Sequence, residues 1–279
     1  AIDTPTLICP LHRHFAFDPC SRPRLPAHLF GVFWRLADGH AQLDQLRSEQ
    51  LVRISLDEEG GRSVECYHSK IREHVASTLD PLHTRELALG LSRALLADPD
   101  SNPELLARAL ELAEVPQDAA IYAARAADAA FAALAFERAA NLYTRALERG
   151  QFPPARRQAL RVNKAEALAH AGHGERAAEA FVAAAAGASA EQADELTRKA
   201  GEQYLMTGDL ERGRVLLAKA LRSVGHSLPL NLAATLASVT WWRSRMRLRS
   251  FVFTPRIEHD RATLRELESL RTVTYCLVR

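Results

Sequence analysis

The chain has 279 residues, 47% of them hydrophobic and 25% charged, with a formal net charge of +2. That length and balance suit one large or two ordinary domains with buried cores. A charge so close to neutral excludes a global pull toward nucleic acid or anionic membrane, so any such binding must come from a local patch. Aromatic residues are only 6% and alanine is abundant, which points to closely packed helices rather than a β-sandwich.

Residues 1 to about 30 are punctuated by Pro5, Pro10, Pro19, Pro23 and Pro26 and yield no definite element. A short helix is expected from Ala27 to Ala37 and another from Ala41 to Glu49, with Leu43 and Leu46 turned inward. LVRIS (Leu51 to Ser55) reads as a strand, DEEGG (Asp57 to Gly61) as a turn, and SVECY (Ser63 to Tyr67) as the returning strand, which together make a β-hairpin. A helix follows from about His68 to Leu79. Helices closed by a hairpin are the pattern of a winged helix.

From Pro81 onward only helices are expected. ELALGLSRALLAD is one and PELLARALELAEV another, with Pro103 suited to a first turn. A repeat then emerges. FERAANLYTRALERG, GERAAEAFVAAAAGA and LERGRVLLAKALRSVG align on Ala139/Tyr143/Ala146, Ala177/Phe181/Ala184 and Gly213/Leu217/Ala220. Twelve residues upstream of each small residue stands another: Ala127, Ala165 and Gly201, the last followed by Tyr204. The small residues recur at offsets of 38 (139 to 177) and 36 (177 to 213). This register lets two antiparallel helices pack closely and stack on the next pair. It resembles the tetratricopeptide (TPR) repeat, with a longer spacing than the usual period of about 34 and no tryptophan; a generic alanine-rich helical bundle is the alternative.

The expected fold is therefore mainly α. A small winged-helix-like α+β domain, with the irregular N-terminal segment, occupies residues 1–80. A TPR-like α-helical solenoid occupies residues 81–279, its clearest units at about 117–225. The chain begins at Ala1 without an initiator Met. It ends in an amphipathic pattern, Leu264, Leu267, Leu270, Val273 and Leu277, with no cap or breaker. A longer parent, cut at the C-terminus, is expected.

Two Cys/His clusters invite a metal. Cys66, His68 and His74 crowd into nine residues, with Glu73 and His83 nearby. His74, six residues beyond His68, projects about 240° away around a helix, so one ion would not meet both. Neither H-E-x-x-H nor H-x-x-E-H occurs. Cys9, His12, His14 and Cys20 have suitable ligand types at a spacing that matches no common zinc module. The four cysteines, Cys9, Cys20, Cys66 and Cys276, form no C-x-x-C pair and no secreted disulfide framework, so reduced thiols in a cytoplasmic chain are expected. No metal site is assigned.

No G-x-S-x-G, paired-carboxylate motif, G-x-x-x-x-G-K-[ST] or G-x-G-x-x-G is present, so no catalytic function or P-loop is expected of this chain. WWRSRMRLRSF carries Arg243, Arg245, Arg247 and Arg249 without an acid. Beside tryptophan, such arginines suit phosphates and bases or an anionic membrane surface; the plain alternative is a solvated linking helix. Arginines two apart point to different sides of a helix, which weakens a one-face grip on phosphates. The helix-turn-helix candidate AQLDQLRSEQ sets Asp44 and Glu49 beside Arg47, a poor phosphate surface. Nucleic acid is not the expected partner. The most apolar run, LPLNLAATLASVTWW, is too short and interrupted to span a bilayer, and no signal peptide is evident.

LDQLRSEQLVRIS, SVECYHSKIREHVASTLD, HTRELALGLSRALLA and PELLARALELAEVPQDAAIYAARAADAAFAALAFERAANLYTRAL together resemble the region after the ATPase module in STAND-type signalling NTPases. The resemblance covers roughly residues 41 to 279. It is nearest to large bacterial serine/threonine protein kinases carrying an AAA-like ATPase module and TPR repeats, and looser to maltose-regulator-like transcription activators. LPLNLAATLASVTWWRSRMRLRSF and LRELESLRTVTYCLV also resemble the kinase subgroup. In those families a winged helix ends in a strand, a Tyr/Phe-His step and a helix with Arg-Glu, matched here by Tyr67, His68, Ile71, Arg72 and Glu73. Residues 1 to 40 do not match the usual start of that winged helix. The resemblance implies a regulatory fragment in which His68 is a candidate sensor of nucleotide phosphate. It would act on the parent's own upstream nucleotide-binding module, where ATP or ADP would reside; no cofactor is implied in this chain itself. It also implies a protein partner in the groove of the repeats. The alternative is the sensor region of a STAND-type transcription activator whose DNA-binding domain lies outside this chain.

Overall fold

The computed structural model describes residues 25–26, 39–56, 62–227, 232–248 and 260–278. The expected helix from Ala27 to Ala37, the Cys9–Cys20 segment and the turn at 57–61 lie outside the described residues. The chain is mainly helical, with twelve helices among the described residues. It divides into two compact units, Ala1–Phe152 and Pro153–Arg279; the boundary expected near residue 80 falls inside the first.

The first unit opens with a small antiparallel sheet in the order β1-β3-β2, where β1 is Leu25–Pro26, β2 Val52–Leu56 and β3 Arg62–Cys66. The β2/β3 register sets Val52 opposite Cys66, Ile54 opposite Val64 and Leu56 opposite Arg62. Side chains alternate across a strand, and this alternation brings Val52, Ile54 and Val64 together with Leu43 and Leu46 of helix α1 (Gly39–Ser48). Helix α1 stops at a left-handed residue, Gln50 (φ 58), whose successor Leu51 donates back to Leu46 at 3.0 Å. Tyr67 N–H donates to Leu51 C=O at 2.9 Å and pins the end of the hairpin. Helix α2 (Ser69–Thr78) leaves directly from that point.

Helices α3 (Pro81–Ala97), α4 (Pro103–Leu112), α5 (Pro116–Ala132) and α6 (Phe136–Arg149) complete this unit. Asp80 caps α3 by accepting from His83 N–H at 2.9 Å. Asn102 caps α4 by accepting from Glu104 and Leu105 N–H. In both helices proline takes the first position, where its missing N–H costs nothing. Leu91 and Leu95 of α3 pack with Leu105, Leu106 and Leu110 of α4. Beyond them the contact thins to alanine: Ala119, Ala120, Ala123, Ala124, Ala126 and Ala127 of α5 are buried, as are Ala139, Ala140 and Ala146 of α6.

The second unit holds α7 (Pro154–His170), α8 (Gly174–Ala185), α9 (Ala190–Met206), α10 (Leu210–Ser223), α11 (Leu232–Leu248) and α12 (Arg261–Val278). Helix α12 packs on α9 and α10, where Leu270 meets the core of Leu205, Leu217 and Leu221. The α9/α10 crossing is made by glycines. A Cβ on Gly213 would sit 2.5 Å from Leu205 Cγ and 3.1 Å from the Gly201 carbonyl oxygen.

One closing turn recurs. After α5, the N–H groups of Ala133, Leu134 and Ala135 donate to Ala129, Phe131 and Ala130. After α7, Ala171, Gly172 and His173 donate to Ala167, Ala169 and Leu168; after α9, Thr207, Gly208 and Asp209 donate to Gln203, Leu205 and Tyr204. The six-to-one bond of each set is the Schellman closure, built around a left-handed residue. Those residues are Leu134 (φ 60), Gly172 (φ 82) and Gly208 (φ 91). They stand 38 (134 to 172) and 36 (172 to 208) residues apart, the offsets of the small residues. The N–H of each phasing residue, Ala139, Ala177 and Gly213, makes the first bond of the second helix, to Ala135, His173 and Asp209. A fourth copy, around Glu114 (φ 57), joins α4 to α5.

Leu134 is the anomaly among the three phased turns: a branched residue in the left-handed region, 72% exposed. That conformation costs an L-residue roughly 1–2 kcal/mol, while glycine loses more freedom on folding. Leu134→Gly should therefore stabilise the chain by about 0.5–1 kcal/mol, and Gly208→Val should destabilise it by about 1–2 kcal/mol. Urea unfolding followed by circular dichroism checks both, and a destabilised Leu134→Gly variant would contradict the account of this turn.

Candidate interaction surface

In the first unit α4 and α6 carry a charge ladder. Glu104 and Glu111 stand seven residues apart on α4; Arg138 and Arg145 stand seven apart on α6. Seven residues are about two helical turns, so each set lies along one face. Arg138 Nε donates to Glu104 Oε2 at 2.6 Å, and Arg108 Nη2 donates to Glu104 Oε1 at 2.7 Å. Arg145 reaches both oxygens of Glu111, through Nε at 3.2 Å and through Nη2. Arg149 adds a contact to Glu111 Oε1 at 2.6 Å. Both carboxylates are 11% exposed, while Arg138 and Arg149 stay about half in solvent. Each carboxylate is thus neutralised where it sinks below the surface, and the forked guanidinium geometry fixes the spacing of the two helices. Further along, Gln117 of α5 and the backbone of Gln151 exchange hydrogen bonds of 2.9 and 2.8 Å.

The ladder floors a groove of about 910 Å³ whose lining also includes Phe136, Glu137, Asn141 and Thr144. Its wall mixes ion-paired side chains with the apolar groups of Ala135, Phe136 and Leu142. The Thr144 hydroxyl donates to Ala140 C=O at 2.8 Å, inside its own helix. No lining residue is a histidine or cysteine. The groove can hold an extended or helical segment by charge and hydrogen bonds; it offers no paired nucleophile and base.

In the second unit the corresponding clamp joins α7 to α9. Lys199 Nζ lies 2.9 Å from Glu166 Oε1 and 5.9 Å from the Phe181 ring centre. Burial works to lower the Lys199 pKa, but hydrogen bonding and the charges of Glu166 and Glu195 outweigh it, and the ammonium is held above its ordinary value.

The repeat positions lie beneath these surfaces. Ala127, Ala139, Tyr143 and Ala146 are buried between α5 and α6; Ala165, Ala177, Phe181 and Ala184 are buried in α7 and α8; Gly201, Tyr204, Gly213, Leu217 and Ala220 are buried in α9 and α10. The Tyr143 hydroxyl donates to Asp128 at 2.7 Å. These residues set how closely helices approach and do not line the groove. The residues that line it escaped the sequence reading, although a signal existed: Glu104/Arg138 and Glu111/Arg145, like the Gln117/Gln151 pair outside the lining, are each separated by 34 residues.

His68 stands at the strand-to-helix junction as the N-cap residue of α2, with extended backbone (φ −129, ψ 143) and no side-chain cap bond. Its ring meets Tyr67 edge-on, with centroids 4.8 Å apart, and both side chains are exposed. Ile71 is half-buried; the side chains of Arg72 and Glu73 lie outside the described ones. His74 is exposed, and His83 pairs instead with Asp80. Hydrogen bonding from the His83 backbone and then its ring lowers the Asp80 pKa, and the same ring contact raises that of His83. Among the described residues no three His, Cys, Asp or Glu side chains gather to hold a metal ion, and no helix is long and apolar enough to cross a membrane. The Cys9, His12, His14 and Cys20 cluster lies outside the described residues.

No protein-family model matches the chain, and no curated protein matches it.

The ladder predicts an asymmetry between buried and exposed acids. Glu111→Ala leaves Arg145 and Arg149 without their shared carboxylate and should cost about 2 kcal/mol of unfolding free energy. Glu148→Ala, at an exposed position of α6, should stay within about 0.5 kcal/mol of the parent. Equal effects in chemical denaturation would show that the ladder contributes nothing to the α4–α6 contact.

Proposed function

We propose that this chain is a non-enzymatic regulatory and protein-interaction fragment of a multidomain, ATPase-linked serine/threonine kinase signalling protein. In this reading residues 81–279 form a TPR-like solenoid and the preceding domain is winged-helix-like. The observation that carries it is the thrice-repeated helix–turn–helix, with its closing turn and its small residues in one phase. Repeats of this kind bury a continuous core by stacking and present an elongated groove to a partner. The 34-residue spacing of the α4–α6 contacts equals the usual TPR period. The partner surface is the groove over Glu104, Glu111, Arg138 and Arg145.

The winged-helix-like domain regulates the parent's nucleotide module. His68, exposed at the end of the hairpin, contacts phosphate of ATP or ADP bound there, in trans to this chain. Partner binding in the groove biases the closed and open states of that module, and it can do so only by the difference in its affinity for the two. The fragment acts in the cytoplasm and does not recognise nucleic acid.

Two measurements test this reading. The isolated chain with magnesium and ATP should release no phosphate above the blank, and sustained turnover would overturn the non-enzymatic assignment. In the full-length parent, His68→Ala should weaken ADP retention by about tenfold, the worth of one charge-assisted hydrogen bond of roughly 1.5 kcal/mol. ADP affinity and activation equal to those of the parent would remove His68 from the nucleotide site.

A further inference from the structure

We propose that α11 is a lipid-docking helix: it lies at a slant in the interface of an anionic phospholipid bilayer, its apolar half against the acyl chains, and holds lipid phosphates with its arginines. Every described side chain from Val239 to Leu248 is exposed. Among them Trp241 is 65% exposed, Trp242 51% and Leu248 88%, and one turn earlier Leu236 is 57% exposed. A soluble surface rarely leaves so many large apolar groups adjacent without a partner.

The distribution of residues selects the occupant. Around the axis, at 100° per residue, Leu236, Val239, Trp242 and Met246 share one 120° arc while Trp241 and Leu248 lie on the opposite side, so a partner helix covering one stripe would leave those two exposed. Along the axis the charges are confined to one end, where Met246 and Leu248 stand among the arginines. Leu232 to Trp242 contains no charged residue, whereas Arg243, Arg245 and Arg247 follow directly, and no acid occurs anywhere from Arg212 to Ile257. Eleven residues at 1.5 Å each span about 16 Å, close to the depth of one hydrocarbon leaflet. Entered at a slant rather than end-on, that half lies at the shallower depth typical of interfacial helices, and its first-turn N–H groups stay within reach of headgroup and water oxygens. The tryptophans then stand at the boundary between acyl chains and headgroups, where their amphipathic rings are enriched in membrane proteins.

The arginines decide between phosphate sources. Arg243 and Arg247 point to one side of the helix and Arg245 to nearly the opposite side. A nucleic-acid strand lying along the helix meets one of those sides. A headgroup layer entered by the helix surrounds it and meets all three. Within the apolar half, the Thr240 hydroxyl is already satisfied by Leu236 and Ala237 carbonyls, each at 2.9 Å, so it carries no unmet polar demand into lipid.

The test uses the 279-residue chain with vesicles of phosphatidylcholine alone, of phosphatidylcholine with phosphatidylglycerol, and of the anionic mixture carrying brominated acyl chains. The expected result is co-sedimentation with the anionic vesicles only, a blue shift of tryptophan emission and quenching by bromine. Replacing Arg243, Arg245 and Arg247 by Gln should weaken this binding by at least about tenfold, with the helical circular dichroism unchanged. Trp241→Ala with Trp242→Ala should abolish the quenching. Equal partitioning onto neutral and anionic vesicles would overturn the proposal. So would emission insensitive to brominated lipid, including the case in which the chain instead retains a duplex or single-stranded oligonucleotide.

Discussion

Close approach of consecutive helices is the constraint on which the helical part of this chain depends. Where α5 meets α6, and again where α9 meets α10, buried Ala or Gly residues line the contact beside the larger side chains. At Gly213 the space a side chain would need is already taken by Leu205 and by the Gly201 backbone. A helix interior ordinarily disfavours glycine by up to about 1 kcal/mol against alanine. Its presence on both sides of one crossing shows that backbone proximity outweighs that propensity.

Small residues exact a cost that the rest of the architecture must meet. An alanine methyl buries little; each buried CH2 is worth only about 0.8 kcal/mol, so an alanine seam yields less than the leucine core between α3 and α4. Directional bonds supplement it. The Tyr143 hydroxyl reaches across to Asp128, Gln117 and Gln151 exchange bonds, and Glu104 and Glu111 tie α4 to α6 through three arginines, Arg138, Arg145 and Arg149. Partly buried ion pairs repay desolvation poorly when their geometry is loose. Here the forked contact of Arg145 with Glu111 and the double engagement of Glu104 are the geometries in which they do. The same bonds fix the distance between alternate helices, which alanine packing between neighbours leaves unspecified.

This division of labour decides what could be read in the sequence. Helix phase was legible because one small residue, one large residue and another small residue recur at fixed spacing, and all of them are buried. The hairpin was legible because Val52, Ile54 and Val64 alternate with polar residues. The left-handed turn residues were half legible. Gly172 and Gly208 signal themselves, but Leu134 and Glu114 adopt the same backbone without glycine, because the surrounding Schellman bonds and helix ends dictate it. The ladder was hidden for a different reason. Its 34-residue spacing belongs to α4 and α6, whereas the clearest sequence repeat begins at α5 with offsets of 38 and 36, and one period does not reveal the other.

Burial of the repeat positions also bears on how such a fragment would work. Ala139, Ala177 and Gly213 cannot touch a partner, since each lies inside a helix pair; they determine the angle at which the pair presents its outer face. The groups that can exchange partners are the half-exposed guanidiniums of Arg138 and Arg149, held at one end by submerged carboxylates. A ligand carboxylate arriving in the groove meets an arginine already oriented by Glu104 or Glu111, so little side-chain freedom is lost on binding. On the proposed reading, the same ligand competes with the bonds that set the α4–α6 distance. Occupancy of the groove and the geometry of the helices are then linked through shared arginines, and that linkage provides the differential affinity a two-state switch requires.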